Sequence, residues 1–280
     1  MELLIQAAIG FIAGVLGGLL GVGGSIIIIP GLILYLGQTG RYAGSQQHLL
    51  QAAAMICNVF VAAPSVLAHW RARAVMKSVV ILLIPSALAG MLLGVFTSDT
   101  SLFARQNGVY LAMVLAGFMV YVAAYNAWRL LGKTDLEQGF DLQEKPSAAA
   151  ISAVGLVMGF VGGLLGIGGG AVCVPMQQIL LRLPLRRAIA NSAVTIVCVS
   201  ALGAVFKNLT LPLRHDLPIA ASLQLALMLI PTAIVGGYVG GKLTHALPRT
   251  ALRLVFIAFM VTMAYLTFTT AWRALPSTVR

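Results

Sequence analysis

A glycine-rich stretch occurs twice in this chain and limits the folds that the chain can adopt. The first copy runs from Gly10 to Pro30, and the second lies 145 residues later, from Gly155 to Pro175. The two copies share ten of 21 residues, and seven of the shared residues are glycine. Because the offset is close to half of the 280 residues, the pattern predicts an internal duplication with one glycine-rich element in each half.

Each copy of the glycine-rich stretch lies within a long apolar run, and further apolar runs follow it. Hydrophobic residues make up 60% of the chain and charged residues only 9%, whereas a soluble domain carries about 25% charged residues. The runs reach the length of about 20 residues that one membrane-spanning helix needs. The sequence therefore predicts an all-α polytopic membrane protein. The runs cover roughly 3–36 (interrupted), 44–69, 78–97, 107–128, 147–181 (interrupted), 188–206, 217–241 and 251–272.

Neither glycine-rich run is suited to one regular helix. Five of the eight residues from Gly17 to Gly24 are glycine, and each costs about 1 kcal/mol in a helix interior. A break inside lipid is tolerated only where protein or a water-filled cavity satisfies the exposed backbone. Two arrangements are open. One is a helical hairpin that enters about halfway, turns at Gly21–Ser25 and leaves on the same side, and the other is a single broken span.

The basic residues favour the hairpin. If both glycine-rich segments are re-entrant, 12 basic residues lie on one side of the membrane and six on the other, against ten and eight if each segment crosses once. One side of a membrane protein normally carries such an excess. Each half then holds a hairpin and three membrane-crossing helices. Because the number of crossings is odd, the second half starts on the opposite side of the membrane and has the inverted orientation. The predicted organisation is two inverted repeats, 1–132 and 148–280, joined by a polar linker at 133–147.

The acidic residues indicate the class of solute. All seven are placed at termini or in predicted loops, and they are Glu2, Asp99, Asp135, Glu137, Asp141, Glu144 and Asp216. Cation and proton sites in membranes usually rest on buried carboxylates, so a cation-coupled site is not expected. A helix that begins at Gly23–Ser25 or Gly168–Gly170 would instead direct free N–H groups into the protein, where anions bind. The alternative is that the glycines serve only tight hairpin packing.

Polar residues near the start of the span that follows each glycine-rich segment complete the candidate site. Burying such groups without partners costs a few kcal/mol, so they either bind a ligand or hydrogen-bond between helices. Gln51, and more weakly Asn58, belong to the same class of candidates. The candidate substrate-binding residues are Gly21, Gly23, Gly24, Ser25, Gln46, Gln47, His48, Gly166, Gly168, Gly169, Gly170, Asn191, Ser192 and Thr195.

The histidines and two basic residues receive more modest roles. For His48 the sequence favours a structural hydrogen bond over proton transfer. His69 and His215 flank predicted loops and are expected at the membrane interface. Arg187 and Lys207 bracket one span and are placed to draw an anion toward a vestibule.

Other functions have little support in the sequence. Gly166–Ala171 satisfies the loose G-x-G-x-x-A pattern, but it lacks the βαβ unit and the acidic residue that accompany nucleotide binding. The four histidines lack metal-ligand spacing, and the basic residues are scattered rather than gathered on a nucleic-acid-binding face. We therefore expect no cofactor, no metal, no nucleic-acid partner and no enzymatic activity. A homo-oligomer is left open.

The repeated motifs resemble those of the sulfite exporter TauE/SafE family, also called the toluene sulfonate uptake permease family. The resemblance rests on the paired G-x₂-GG-LLG-[VI]-GG-[GS]-x₄-P segments and on the span start at Asn191. It rests also on the IP-x₄-G-x₃-G motifs, which begin at Ile84 and Ile230 within two later apolar runs. It implies a bacterial inner-membrane transporter of small sulfur-containing anions, such as sulfite or an organosulfonate. The expected function is secondary transport by alternating access. A passive anion channel, a transporter of another organic anion and a non-transporting scaffold are the alternatives.

Overall fold

Ten α-helices make up the described part of the chain. The computed structural model describes residues 2–20, 22–103, 105–131, 146–246 and 249–275. The all-helical prediction is confirmed, whereas the linker predicted at 133–147 lies, up to residue 145, outside the described residues. The helices are α1 (Glu2–Leu20), α2 (Ser25–Gln38), α3 (Gln47–Arg71), α4 (Lys77–Ser98), α5 (Gly108–Leu131), α6 (Ala148–Leu165), α7 (Gly170–Leu180), α8 (Leu185–Arg214), α9 (Ile219–Ala246) and α10 (Arg249–Arg273).

Seven of these helices, α3 to α6 and α8 to α10, are long and apolar enough to cross a membrane. The helices α2 and α7 are apolar but shorter, and the apolar stretch described within α1 is Glu2–Gly18. At 1.5 Å per residue, α2 is about 21 Å long and α7 about 17 Å, which is less than the ~30 Å hydrocarbon core of a bilayer. Large apolar side chains such as Phe96, Val120 and Tyr265 are exposed on the outside. The protein is therefore a multi-pass membrane protein.

The chain reverses direction at the first glycine-rich break. A Cβ added to Gly31 of α2 would touch Ile9 near the start of α1, and one added to Gly17 would lie 2.9 Å from the amide nitrogen of Gly24. α2 therefore packs back along α1. Gly23 has a φ of 88°, a conformation that glycine adopts far more readily than other residues. Of the residues in this turn, Gly21 lies outside the described residues.

The second break has the same form. A Cβ on Gly162 of α6 would lie 2.8 Å from the amide nitrogen of Gly169, and one on Gly169 would collide with the carbonyl of Met158. Both Gly168 and Gly169 have positive φ. Each glycine-rich segment is therefore a helical hairpin and not a single broken span, although its depth in a bilayer stays a prediction.

Each hairpin packs against the fourth helix of the other half. α1 runs parallel to α9, and α6 runs parallel to α4, with glycines at the points of contact. Backbones approach closely where small residues face each other. The helices α4 and α9 contribute Gly90, Gly94, Gly236 and Gly240 to these contacts, because a Cβ on any of them would collide with the facing backbone. The contacts made by the hairpins are Gly14 with Ala233, Gly18 with Gly237, Gly159 with Ala87 and Gly163 with Met91.

The equivalent helices α3 and α8 lie side by side and run in opposite directions. His48, near the start of α3, contacts Lys207 late in α8, whereas Asn58, ten residues further along, contacts the earlier Ser200. This antiparallel packing supports two inverted repeats. The orientation of the two halves across a membrane stays a prediction.

Residues in or beside three of the four loops that were expected to share the basic excess meet at one end of the described molecule. There, Met76 before α4 donates its N–H to Asn191 of α8 at 2.8 Å, and Arg129 of α5 donates to Gln178 of α7 at 2.6 Å. Lys207 was expected just beyond the end of the span at 188–206, and this placement is wrong. It lies inside α8, which continues to Arg214.

The packing of the hairpins predicts opposite effects for two helical glycines. We expect Gly159→Ala to lower the free energy of unfolding by about 1–3 kcal/mol, because the added methyl group would collide with the α4 backbone. Gly117→Ala on α5 is the control. Nothing lies within 4 Å of the added Cβ, so alanine should be neutral or stabilise by up to about 1 kcal/mol. Thermal unfolding of both purified variants in detergent measures the difference, and equal melting temperatures would contradict the packing.

The inverted arrangement predicts opposite exposure of two positions that follow the hairpins. We expect Thr39→Cys after α2 and Arg186→Cys in the first turn of α8 to react with a membrane-impermeant maleimide from opposite sides of the membrane. The test uses a background in which Cys57, Cys173 and Cys198 are replaced by alanine, and intact against permeabilised cells as its control. Labelling of both positions from one side would rule out inverted repeats.

Candidate functional site

The tips of the two hairpins meet at a buried polar pair on α3 and α8. Asn58 donates from Nδ2 to Ser200 Oγ at 2.9 Å, and both side chains are fully buried. A Cβ on Gly23 would collide with the Asn58 amide, and one on Gly168 would collide with both members of the pair. The two turns therefore lie against one polar pair, near the middle of α3 and α8.

Two helices begin at these tips. The N-caps of α2 and α7 are Gly24 and Gly169, and neither helix has a side-chain cap. The first N–H groups of a helix have no partner within it, and its N-terminus carries a partial positive charge. Ser25 adds a buried hydroxyl, and its Oγ has no hydrogen-bond partner among the described residues. The middle of the protein thus holds hydrogen-bond donors and partial positive charge.

A narrow cavity lies beside the first tip. It separates the turn of the first hairpin from α3 and α8, and most of its wall is apolar. Ser65 of α3 adds a hydroxyl to the wall, but this hydroxyl donates to the Ala62 carbonyl of its own helix. The lining residues are Gly17, Gly18, Gly23, Val61, Ala62, Ser65, Ala193 and Ile196.

The polar residues that were expected to form one site with the tips lie in two separate groups. Because His48 contacts Lys207, which lies 16 residues after Asn191 on α8, the two groups are about 24 Å apart. The prediction that both groups form one site is wrong, because α3 and α8 are antiparallel and their starts lie at opposite ends. The groups are Gln46, Gln47 and His48 on the α3 side, and Asn191, Ser192 and Thr195 on the α8 side.

Several of these side chains hydrogen-bond within the protein. Gln47 accepts from the Tyr42 hydroxyl at 3.1 Å, and Asn191 donates to Gln177 Oε1 at 3.2 Å. Thr195 donates to the backbone carbonyl of Asn191 in its own helix. A hydrogen bond between helices, one of the two roles left open by the sequence, is thus seen for Asn191, whose partner lies in α7. Gln47 bonds instead to the loop before α3, and ligand contact stays a prediction for both.

Gln51 connects α3 to the second hairpin. Its Nε2 donates to the Leu164 carbonyl at the end of α6 at 3.1 Å, and its side chain fills the space beside Gly166. Gly166 ends α6 in the left-handed conformation. A change in the position of α3 therefore acts directly on this hairpin.

Four buried side chains near the start of α3 and the end of α8 form a group that we call the charged cluster: His48, Asp99, Lys207 and His215. Lys207 Nζ lies 3.5 Å from Asp99 Oδ1 and 3.4 Å from His48 Nδ1. His215 Nε2 lies 3.1 Å from the same carboxylate oxygen. The two imidazole rings are stacked, with their centroids 3.7 Å apart.

The charged cluster shows a burial that the sequence did not predict. Asp99 follows the last residue of α4, as expected, but its carboxylate is buried, so the interior does contain an acidic group. His215 follows the last residue of α8 and is buried against Asp99, and its expected place at the membrane interface stays a prediction. Burial alone would raise the pKa of Asp99, but the hydrogen bond from His215 and the charge of Lys207 hold this pKa below its ordinary value.

The same cluster is poorly suited to a metal ion. Donor atoms of His48, Asp99 and His215 lie within 4.8 Å of one another, which is close enough to share an ion. However, the Lys207 ammonium lies within 3.5 Å of two of these groups. A divalent cation would meet this positive charge at close range, and we assign no metal to the cluster.

Sequence reasoning placed the two tips among the candidates but ranked Asn58 low and overlooked Ser200. Both are single polar residues inside apolar runs, and this was the available signal. Their pairing depends on the register between α3 and α8, which are 142 residues apart at this point. The charged cluster was missed for the same reason, because its members come from four separate positions along the chain.

Two hairpins whose helices begin at the centre of a multi-pass bundle are typical of membrane transporters. The comparison with known families agrees with this class. The family model described as "Sulfite exporter TauE/SafE" matches residues 6–267. The chain belongs to this family, and the resemblance noted in the sequence is confirmed.

Curated relatives carry names of the same kind. The chain is 30% identical to the "Probable membrane transporter protein MamO" of Paramagnetospirillum magneticum over 90% of this chain and 42% of the relative. It is 28% identical to the "Probable membrane transporter protein YunE" of Bacillus subtilis over 89% of each chain. The chain thus spans about two fifths of the length of MamO but most of YunE. No solved structure matches.

The buried ion pair predicts a non-additive effect of two substitutions. Asp99→Asn leaves the Lys207 ammonium buried without its carboxylate, so we expect the free energy of unfolding to fall by about 3–5 kcal/mol. The double variant Asp99→Asn with Lys207→Met leaves no unpaired charge and should recover much of this loss. Denaturation of the wild type, both single variants and the double variant gives the coupling energy, and strictly additive losses would contradict the pair.

The low pKa of Asp99 also predicts a pH dependence. A carboxylate whose folded-state pKa lies below its unfolded value stabilises the fold above about pH 4, and this contribution is lost as the pH falls toward the folded value. Wild-type stability should therefore fall more steeply below about pH 4 than that of the double variant.

Proposed function

We propose that this protein is a secondary transporter of a small sulfur-containing anion, such as sulfite or an organosulfonate, in a bacterial inner membrane. One observation carries the proposal: α2 and α7 both begin at the buried Asn58–Ser200 pair without side-chain caps. Helix N-termini bind anions through free N–H groups and the helix dipole. Membership of a transporter family supports this use of the site.

The donors around the pair suit an oxyanion. A sulfonate or sulfite group presents three oxygens, and its removal from water has to be offset by several charge-assisted hydrogen bonds. The two helix N-termini and the Ser25 hydroxyl, which lacks a partner among the described residues, supply such donors. The Asp99 carboxylate lies beside His48, ten residues or about 15 Å along α3 from Asn58. The Lys207 ammonium lies 3.5 Å from this carboxylate and offsets its charge, so the pair opposes anion binding only weakly.

Burial of the site favours a carrier over a channel. Asn58, Ser200 and Ser25 are each fully buried, so helices have to move before a solute reaches them. Alternating access supplies such movement when one repeat rocks against the other. Each hairpin packs against a helix of the other half, α1 on α9 and α6 on α4. These two equivalent contacts are the surfaces at which such a movement would occur. Gln47 and Ser192 lie at opposite ends of the molecule, and we place each along the route by which the anion reaches the site from that side.

The proposed site predicts a selective loss of transport in one asparagine variant. Asn58→Leu should reduce counterflow of labelled anion in proteoliposomes by about tenfold or more, because it removes the amide between the tips and leaves Ser200 without its partner. Asn126→Leu is the matched control, since among the described residues this amide donates to the Val122 carbonyl of its own helix and to no other helix. Wild-type counterflow in Asn58→Leu would remove the site, provided that both variants purify as folded protein.

Two further measurements determine which anion is transported and whether the protein is a carrier or a channel. Purified protein should be stabilised against heating by its anion, by about 2.7 kcal/mol at a concentration of 100 times Kd. The panel consists of sulfite, thiosulfate, sulfoacetate and taurine, with acetate and succinate as controls. Saturable counterflow identifies a carrier, whereas flux that rises linearly with concentration identifies a channel.

A further inference from the structure

We propose that the charged cluster binds and releases one proton in each transport cycle and that His215 is the group that is protonated. The cluster lies outside the anion site and would give the transporter its coupling ion. The inference rests on the proposed function only for the coupling step, because proton binding itself is measurable without any transported solute.

The hydrogen bonds of His48 occupy both of its ring nitrogens. Nε2 lies 2.8 Å from the Phe103 carbonyl, and a carbonyl only accepts, so Nε2 carries the hydrogen. Nδ1 is then the acceptor that faces the Lys207 ammonium at 3.4 Å. His48 is therefore neutral, with its protonation state held by two neighbours.

His215 has one ring nitrogen to spare. Its Nε2 lies 3.1 Å from Asp99 Oδ1, and an ionised carboxylate only accepts, so this nitrogen carries the hydrogen. Its Nδ1 is buried and has no hydrogen-bond partner among the described residues. A proton delivered as hydronium adds to this lone pair, forms an N–H bond and leaves water. The cluster then changes from zero net charge to one positive charge.

The surrounding charges make this step reversible. The Asp99 carboxylate stabilises an imidazolium at His215, and its second oxygen, Oδ2, also has no hydrogen-bond partner among the described residues. The Lys207 ammonium, 3.5 Å from Oδ1, opposes a second positive charge. Arg214 faces the cluster as well, with its guanidinium 3.3 Å from the Asp99 backbone carbonyl. His215 therefore faces one charge that favours its protonation and two that oppose it.

Access to the cluster depends on conformation. The side chains of His48, Asp99, Lys207 and His215 are fully buried, so a proton enters or leaves only when this end of the protein opens. An ionisable group that is closed in one conformation and open in another is what a coupled carrier requires.

The helices that hold the anion site also hold the cluster. Lys207 lies seven residues, or about 10 Å, after Ser200 on α8, and His48 lies on α3 with Asn58. Ser98 at the end of α4 accepts a hydrogen bond from Lys207. Added positive charge beside Lys207 weakens this junction of α3, α4 and α8, and therefore favours the conformation in which α8 separates from α4. The proton and the anion thus act on the same moving helices.

The first test measures proton binding alone. Nitrogen NMR of histidine-labelled protein, recorded over a range of pH, should show one buried imidazole that takes up a proton as the pH falls. This signal should disappear in His215→Gln, whose amide still donates to Asp99 but takes up no proton. His69→Gln, at the other end of α3, is the matched control and should retain the signal. An imidazole at His215 that stays neutral over this range overturns the proposal.

The second test measures coupling in proteoliposomes. With one pH unit across the membrane, the wild type should accumulate anion about tenfold for one proton per anion, and nigericin should abolish the accumulation. His215→Gln should keep counterflow and lose accumulation, whereas His69→Gln should keep both. Accumulation by His215→Gln, or wild-type counterflow without any response to the gradient, overturns proton coupling. Absence of counterflow in the wild type overturns the proposed function instead, and the NMR titration still decides the proton site.

Discussion

Close backbone contact between the hairpins and the opposite half is the constraint on which this fold depends. Lipid tails are as apolar as leucine side chains, so apolar burial gives little drive for helix association inside a membrane. Close packing of the helices therefore has to supply the free energy of their association. Gly14 on Ala233 and Gly159 on Ala87 bring carbonyls and helices together with no side chain between them. Each hairpin is thereby held by the half that it does not belong to, and neither half is complete alone.

This packing has a consequence for the polar groups of the interior. A hairpin that turns inside the protein leaves the first N–H groups of α2 and α7 unpaired, and an apolar interior cannot satisfy them. The structure places Asn58, Ser200 and Ser25 at that point. These groups give the helix starts a polar environment, and they leave donors that an anion can use. The break that allows the hairpin and the site that we propose thus have one physical origin.

The sequence predicted local features well and long-range pairing poorly. Hydropathy and the spacing of Gly21, Gly166 and their neighbours were enough for the helices, the hairpins and the family, since these depend on residues close in the chain. The antiparallel register of α3 and α8 is different, because apolar periodicity does not say which helices meet. It decides that Gln47 and Ser192 lie at opposite ends of the molecule and that the Asp99 carboxylate is buried beside Lys207.

The separation of the two sites limits how they are coupled. The charged cluster lies about 10–15 Å along the helices from the Asn58–Ser200 pair. At 12 Å and an effective dielectric constant of 20, opposite unit charges attract by about 1.4 kcal/mol, or about tenfold in affinity. Charge alone therefore couples a proton to an anion only weakly, and tighter coupling requires the movement of α3 and α8 that opens both sites. A proton carried with a monovalent anion also makes the moving pair electrically neutral, so its transport would be insulated from the membrane potential.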